Sequence, residues 1–231
     1  MACNASPTPD IGVENSVDGA IIDSYWPTTP PVKNAKNITM KWSERAAPGE
    51  VAIADLVTYK ADKATIFPPT GWALIRDDGG QHVRQTLYWR AVQANDPHEF
   101  AWSFSEPVDA QGTIILLADA RLDAPVDGSS GNGRGVQGGS DMVAKSVKTT
   151  SDGALVLAFY ANDFGGAGFN APDFMGEIVE DETQLGGYWI LGTYQKHKGP
   201  TPDAICHGGQ GFDSVSAQVA IRRSAEATES R

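Results

Sequence analysis

Hydrophobic and polar residues alternate along four short segments of the chain. In residues 98–104, the sequence HEFAWSF places Phe100, Trp102 and Phe104 at every second position. A period of two over seven residues is typical of a strand that buries one face. The same pattern recurs in three other segments, which are residues 36–44, 84–92 and 214–223. Each of the four segments therefore predicts a half-buried strand.

Two other segments are apolar at nearly every position. They are residues 113–118, TIILLA, and residues 154–160, ALVLAFY. A short run without alternation is what a central strand covered on both faces requires. Residues 51–59 and 186–194 also predict strands, whereas residues 175–185, MGEIVEDETQL, are compatible with a short helix that has an acidic, solvated side.

Turn-forming segments rich in glycine and proline separate these predicted strands. They include APGE, FPPTG, NDP, LDAPVDG, SDG and KGPTPD. Short strands at this spacing predict an all-β fold, and we expect one antiparallel two-sheet β-sandwich domain of the jelly-roll type. Residues 36–223 form this domain in our interpretation, with an N-terminal arm and lead-in over 1–35 and a flexible C-terminal tail over 224–231.

The longest segment predicted to lack regular structure is residues 127–141, DGSSGNGRGVQGGSD. Glycines within 133–138 have the spacing G-x-G-x-x-G, but a dinucleotide site requires a helix after this motif, and here a strand is predicted to follow. Asp127, Asn132 and Asp141 do not have the spacing of a calcium-binding loop. We therefore expect a mobile or partner-contacting loop and no metal or nucleotide site.

Composition and charge narrow the classes of partner. The chain has 231 residues, of which 41% are hydrophobic and 20% charged, so it can bury a substantial core. Its formal net charge of -11 disfavours nucleic acid and anionic membrane surfaces, which attract clustered Lys and Arg. The sequence lacks an 18-residue apolar run and a signal-peptide pattern at its start, so we expect neither a membrane span nor secretion.

The two cysteines, Cys3 and Cys206, stand near opposite ends of the chain. Two cysteines are too few to scaffold a domain of this size, so the core must be stable without disulfides. A bridge that pins the arm to the body and a pair of free thiols both remain open.

Candidate chemistry is sparse, and we predict no catalytic residue, metal site or cofactor. The four histidines stand at no metal-ligand spacing. Asp55 and Asp119 lie in apolar segments, and a buried carboxyl with a raised pKa would be a candidate site. Alternatively, each of them pairs with an arginine such as Arg84, Arg90 or Arg121, or ends a strand at the surface.

Five residues are the candidates for contact with a partner or a glycan. Arg84, Tyr88 and Arg90 share the face of one predicted strand opposite to Leu87 and Trp89, which we expect to face the core. That face meets water, the edge of the second sheet or another protein. In a later strand, Tyr188 and Trp189 are adjacent in sequence and must therefore face opposite sides, so one of the two rings is exposed, covered by a partner or buried in the core.

Several motifs together resemble an uncharacterised family of β-sandwich modules found in bacteriophage structural and tail proteins and in bacterial surface proteins. The motifs are a P-x-G-W turn, a Tyr-aromatic-basic segment, a D-P turn, an aromatic-rich strand and a Pro-Asp corner. They correspond here to Pro69, Gly71, Trp72, Tyr88, Trp89, Arg90, Val92, Asp96, Pro97, Phe100, Trp102, Phe104, Leu122, Asp123, Pro125 and Asp127. The resemblance spans residues 48–223, departs from the pattern at LLADARLD, and carries no catalytic residue.

The resemblance implies a non-enzymatic bacteriophage virion protein, a head decoration or tail-associated component assembled in the host cytoplasm. Its partners would be other virion proteins, and the protein would be a homo-oligomer or bound in a lattice. One alternative is a carbohydrate-binding module that recognises host surface glycans through exposed aromatic rings. A second is a jelly-roll glycosidase, which needs two carboxylates facing each other across a groove.

Overall fold

The computed structural model describes residues 13–14, 21–23, 29–60, 63–132, 141–164, 170–207 and 213–224. Within these ranges the chain forms fifteen β-strands and no helix. Accordingly, no described segment is a helix with the length and apolar character needed to cross a membrane. The strands are β1 (Val13–Glu14), β2 (Ile21–Asp23), β3 (Thr29–Lys41), β4 (Val51–Tyr59), β5 (Ile66–Phe67), β6 (Ala73–Gly79), β7 (Val83–Ala91), β8 (Glu99–Leu117), β9 (Val126–Gly131), β10 (Asp141–Ala144), β11 (Ala154–Asn162), β12 (Gly176–Glu182), β13 (Gly187–Gln195), β14 (Ala204–His207) and β15 (Ser214–Ile221).

The strands form two large antiparallel sheets and one small one. Sheet A has the order β1-β13-β11-β15-β9, with β12 also paired to β13. Sheet B has the order β2-β8-β4-β7-β6, with β3 and β5 also paired to β8. Strands β10 and β14 pair with each other only, and we call them the cover pair. The predicted all-β, antiparallel two-sheet sandwich is confirmed.

The inter-sheet core lies between sheets A and B and is built from one face of each central strand. On β4, for example, Val51, Ile53 and Val57 point into it, as do Leu157 and Phe159 on β11. The opposite faces of the same strands are buried as well, since every residue of β4, β11, β13 and β15 is buried. The continuous apolar segments of the sequence are therefore strands covered on both sides, as predicted.

Strand β8 covers the outer face of sheet B by folding back over it. The second half of β8 pairs with β4. There Ile114 of β8 pairs with Ala54 of β4, and Ala54 pairs on its other side with Tyr88 of β7, so Ile114 and Tyr88 are two strand spacings apart. Twelve residues of extended strand span roughly 40 Å, yet the ring of Trp102 lies 6.2 Å from that of Tyr88. The first half of β8 must therefore curl over the face that carries Tyr88.

The curl of β8 coincides with its irregular pairing to β3. The register between the two strands shifts three times between Thr29 and Asn37. Asn34 adopts a positive φ of 48° there, and its backbone N–H donates to Asp109 Oδ1 at 2.8 Å. Bulges of this kind bend a strand and increase its twist, which is what the change of direction requires.

An aromatic cluster fills the space beneath the curled strands, and we call it the outer B core. Trp42 and Phe100 contact edge to face at 4.5 Å between ring centroids, and Trp72 lies 5.2 Å from Trp102 and 5.3 Å from Phe100. Ile38 and Met40 of β3 complete the cluster, so the alternating faces predicted for residues 36–44 and 98–104 are confirmed.

The outer face of sheet A is covered by the cover pair. Met142 and Cys206 pack against Tyr160 and Trp189 of the sheet. The Tyr160 hydroxyl donates to the Ala204 carbonyl at 3.1 Å, which ties the cover pair to the sheet. Cys206 is buried, and Cys3 lies outside the described residues, so the bridge between them stays a prediction.

Three expectations from the sequence differ from the structure. The helix suggested for residues 175–185 is wrong, because residues 176–182 form β12. A bulge at Glu177–Val179 turns both Ile178 and Val179 toward the core, which hides the strand alternation. Residues 126–131 form β9 and not a loop, and the glycine motif within 133–138 lies outside the described residues. Residues 29–35, predicted as lead-in, belong to β3.

We expect Trp102→Ala to destabilise the protein far more than Phe67→Ala. Trp102 is fully buried beneath the curl, whereas Phe67 is 52% exposed. Removing a buried Trp costs about 3–5 kcal/mol, and an exposed side chain contributes little. Urea unfolding followed by far-UV circular dichroism measures both. Equal midpoints for the two variants would show that the curled half of β8 does not pack as described.

Candidate functional site

Three of the five predicted contact residues are aromatic rings inside the protein. Tyr88 is 3% exposed and belongs to the outer B core. Tyr188 is fully buried in the inter-sheet core, and Trp189 is buried on the other side of sheet A. The two adjacent rings do face opposite sides, but the idea that one of them is exposed is wrong, because both outer faces of the sandwich are covered. Contact with a partner would require the sheets to open at Tyr188 or the covers to lift from Tyr88 and Trp189.

The two predicted arginines are engaged in internal contacts. The Arg84 guanidinium pairs with Asp77 and donates to the Ala64 carbonyl at 2.6 Å. The Arg90 guanidinium pairs with Asp96, donates to the Thr70 carbonyl at 2.6 Å and lies over the ring of Phe100. Each arginine thus fixes a turn beside its strand. Leu87 and Trp89 face the inter-sheet core from the opposite side of β7, as predicted.

The two candidate carboxylates, Asp55 and Asp119, are not brought together. Asp55 lies opposite Thr113 in the middle of sheet B, and Asp119 follows the end of β8, six positions further along the chain. Six extended residues span roughly 20 Å, whereas a glycosidase needs its two carboxyl groups about 5–9.5 Å apart. Asp119 instead pairs with Arg223 at 3.2 Å. These two residues therefore do not form a glycosidase pair.

Asp55 is fully buried within the inter-sheet core and faces no arginine partner among the described residues. Its Oδ2 accepts a hydrogen bond from Gln85 Nε2 at 3.0 Å. Burial raises the pKa of Asp55 from 3.8 to about 8, and the hydrogen bond from Gln85 only partly opposes this rise. The carboxyl is therefore mainly neutral near pH 7, because ionising it would place an uncompensated charge in the core.

Protonation of Asp55 explains why two buried oxygen atoms of this pair have no other hydrogen-bond partner. Within the described part of the chain, Asp55 Oδ1 and Gln85 Oε1 accept no hydrogen bond. They belong to the same two side chains that are already joined through Oδ2 and Nε2. A proton on Asp55 Oδ1 is the donor that Gln85 Oε1 needs, and it would complete a cyclic acid–amide pair.

Further polar side chains continue from Asp55 along the same face of sheet B, and we call this set the polar strip. Gln111 Nε2 donates to the Tyr59 hydroxyl at 2.5 Å and to the Gly186 carbonyl at 3.2 Å. Thr183 Oγ1 donates to Gln111 Oε1 at 2.5 Å. Burial, and secondarily the nearby Asp55, raises the pKa of Tyr59, so this hydroxyl stays protonated. The polar strip links sheet B to the turn between β12 and β13.

Thr183 also lines a surface groove of about 960 Å³ that is open to solvent. The groove is lined by Pro31, Lys33, Asp163, Phe164, Glu182, Thr183 and Gln184. Sequence reasoning missed it, because its residues come from three separate parts of the chain. The available signal was Phe164, an aromatic residue directly before two glycines that could not belong to a regular alternating strand.

Carboxylates considered earlier as metal ligands have other contacts. Asp127 accepts hydrogen bonds from the backbone N–H groups of Thr150 and Ser151 and pairs with Arg222. Asp141 pairs with His207. No cluster of three or more His, Cys, Asp or Glu side chains suited to a metal ion occurs in the part of the chain that the structure describes.

Comparison with known proteins identifies no relative. No protein-family model, curated protein or solved structure matches the chain. The groove and the polar strip must therefore be interpreted from their own chemistry.

We expect Asp55→Asn to remove a pH dependence from the stability of the protein. Between pH 4 and 8 the folded protein holds a proton on Asp55 that the unfolded chain has released, so stability falls as pH rises, by up to about 1.4 kcal/mol per pH unit. Asparagine keeps the amide pairing to Gln85 without a titrating group. Urea midpoints at pH 5 and pH 8 should therefore differ less in Asp55→Asn than in the wild type.

The control for this measurement is Asp123→Asn, because Asp123 lies at the surface beside Arg121. This variant should keep the wild-type decline between pH 5 and pH 8. An Asp55→Asn variant with the same decline as the wild type would show that Asp55 is ionised in the folded protein.

We expect Arg90→Glu to destabilise the fold, so it is not a simple surface variant. The Arg90 and Asp96 side chains are 14% and 8% exposed, and breaking a pair this buried costs about 3–5 kcal/mol. Arg121→Glu, whose pair with Asp123 is exposed, should change stability little. Thermal unfolding measures both, and the double variant Arg90→Glu/Asp96→Arg should recover part of the loss. Equal melting temperatures for Arg90→Glu and the wild type would contradict the structural role of the pair.

Proposed function

We propose that the protein is a non-enzymatic structural component of a bacteriophage virion, either a head decoration or a tail-associated protein. The motif resemblance supports this, because its residues serve architecture in this chain. Trp72, Phe100 and Trp102 build the outer B core, and Arg90 with Asp96 fixes the turn beside it. The residues that carry the resemblance stabilise the fold itself, which is the role we expect of them in a permanent structural component of an assembly.

The observation that carries the proposal is an exposed apolar surface at the turn between β5 and β6, which we call the rim. Phe67 is 52% exposed and Leu74 is 57% exposed, and Pro68 between them is exposed too. Phe67 and Leu74 are two of the four large hydrophobic residues that are exposed in the described part of the chain. Large apolar side chains that are exposed close together in sequence at one turn make that turn a candidate protein interface.

The rim rests on a rigid base. Directly below it, Trp72 is buried against Trp102, and the Arg90 guanidinium holds the Thr70 carbonyl. A surface that is already ordered loses little conformational entropy when a partner binds. Among the described residues, strand β6 pairs only with β7 and ends sheet B, so an adjoining chain could pair with its outer side.

The charge of the protein agrees with an apolar contact of this kind. A net charge of -11 makes charged surfaces of two copies repel each other. Contact between neighbouring copies in a lattice would then depend on apolar area, which the rim provides.

We expect Phe67→Asp/Leu74→Asp to reduce incorporation into virions strongly while the isolated protein stays folded. Burying a charged carboxylate in an apolar interface is unfavourable, and both positions are exposed in the free protein. The matched control is Leu122→Asp, which changes another exposed leucine at a different corner. Quantitative mass spectrometry of purified virions gives the copy number of each variant.

Two results would contradict the proposal. Absence of the wild-type protein from purified virions would remove the virion role. Incorporation of the rim variant at the level of Leu122→Asp would leave the protein in the virion but exclude the rim as its contact surface.

A further inference from the structure

The groove described above lies where the two sheets meet at one end of the sandwich. Pro31 and Lys33 come from β3 of sheet B, Asp163 and Phe164 follow β11, and Glu182–Gln184 close β12 of sheet A. Lys33 Nζ donates to Gln184 Oε1 at 3.4 Å and bridges the two sides. The groove is thus formed by the tertiary fold and not by a single loop.

A buried asparagine fixes two walls of the groove relative to each other. Asn162 is 2% exposed, and its Oδ1 accepts hydrogen bonds from the backbone N–H of Phe164 at 3.2 Å and of Gly187 at 2.9 Å. Gly187 follows the turn that carries Thr183 and Gln184. The aromatic wall and the polar wall are therefore held by one side chain that solvent does not reach.

Two polar side chains of the groove, Asp163 and Thr183, are held by internal contacts. Asp163 Oδ1 accepts the backbone N–H of Asp213 at 3.1 Å, and its Oδ2 lies 3.2 Å from His82 Nδ1. Thr183 is anchored through Gln111 in the polar strip. Preorganised polar groups around a concave surface reduce the entropy lost when a small ligand binds.

The chemistry of the groove combines one aromatic ring with planar polar side chains. Phe164 is 48% exposed and offers a flat apolar surface. Glu182 and Gln184 beside it are exposed and supply a carboxylate and an amide. A sugar ring has the complementary character, because its C–H face packs on an aromatic ring while its hydroxyls pair with carboxylates and amides.

We propose that this groove binds a neutral oligosaccharide, with a sugar ring on Phe164 and its hydroxyls on Glu182 and Gln184. The volume of about 960 Å³ lies within the ~300–1,000 Å³ range of ligand pockets. The described lining residues carry two carboxylates, Asp163 and Glu182, and one cation, Lys33, and this negative balance disfavours acidic sugars. This binding activity goes beyond a structural role in the virion and does not depend on the rim.

Phe67 and Phe164, which are both exposed in the described part of the chain, provide a matched test. The intact protein and the variants Phe164→Ala and Phe67→Ala are applied to an array of neutral oligomers of glucose, galactose, mannose and N-acetylglucosamine, together with sialylated and uronic-acid oligomers. Wild type and Phe67→Ala should bind the same neutral oligomers. Phe164→Ala should bind them at least about tenfold more weakly, because it loses the stacking surface.

Equal melting temperatures establish that the three proteins are comparably folded, as expected for two exposed positions. No binding by the wild type to any neutral oligomer would overturn the proposal, as would binding confined to acidic oligomers. Undiminished binding by Phe164→Ala would place the sugar elsewhere and overturn it too. Because Phe67 lies on the rim and Phe164 in the groove, failure of this test leaves the virion proposal to its own experiment.

Discussion

The fold depends on the burial of both faces of the central strands. A two-sheet sandwich normally exposes its outer faces, but here β4 and β11 are apolar on both sides, and leaving either outer face in water would expose a large hydrophobic surface. Two different structural elements cover the outer faces of the two sheets. On sheet B the first half of β8 curls back with β3 over an aromatic cluster, and on sheet A the cover pair packs against Tyr160 and Trp189. Sites for partners must therefore lie at the edges and ends of the sandwich.

The polar strip is one polar element within this mainly apolar interior. Asp55 sits among valines and isoleucines, and burial keeps it protonated with a pKa of about 8. A buried carboxylic acid paired with an amide is directional, so it fixes the alignment of β4 with β7 where apolar contacts alone would allow sliding. On the same face of sheet B, a separate set of hydrogen bonds runs from Tyr59 through Gln111 to Thr183, in the turn that shapes the groove. Core and surface are connected there by hydrogen bonds.

The sequence predicts the parts of this fold that depend on local periodicity. Alternation in residues 98–104 identifies the buried aromatic residues, and apolar neighbours identify Asp55 as internal. The alternation does not predict the curl of β8. Phe100 and Ile114 are an even number of residues apart, so they share one face of the strand whether it is straight or curled. The bulge in β12 removes the alternation that would have revealed a strand. The groove combines residues distant in sequence, and only the tertiary fold brings them together.

The protein carries two surface features at different places on one rigid body, the rim beside β6 and the groove beside Phe164. The groove includes Pro31 and Lys33 of β3, and the rim includes Phe67 of β5, which pairs with the first half of β8. Both features therefore depend on the curl of β8 and β3 over sheet B. Native-state hydrogen exchange tests it most directly. We expect the amides of residues 100–104 and 38–40 to exchange with the free energy of global unfolding, as those of β4 do. Exchange of these amides at a much lower free energy than β4 would mean that the curled strands open independently, and would contradict the account.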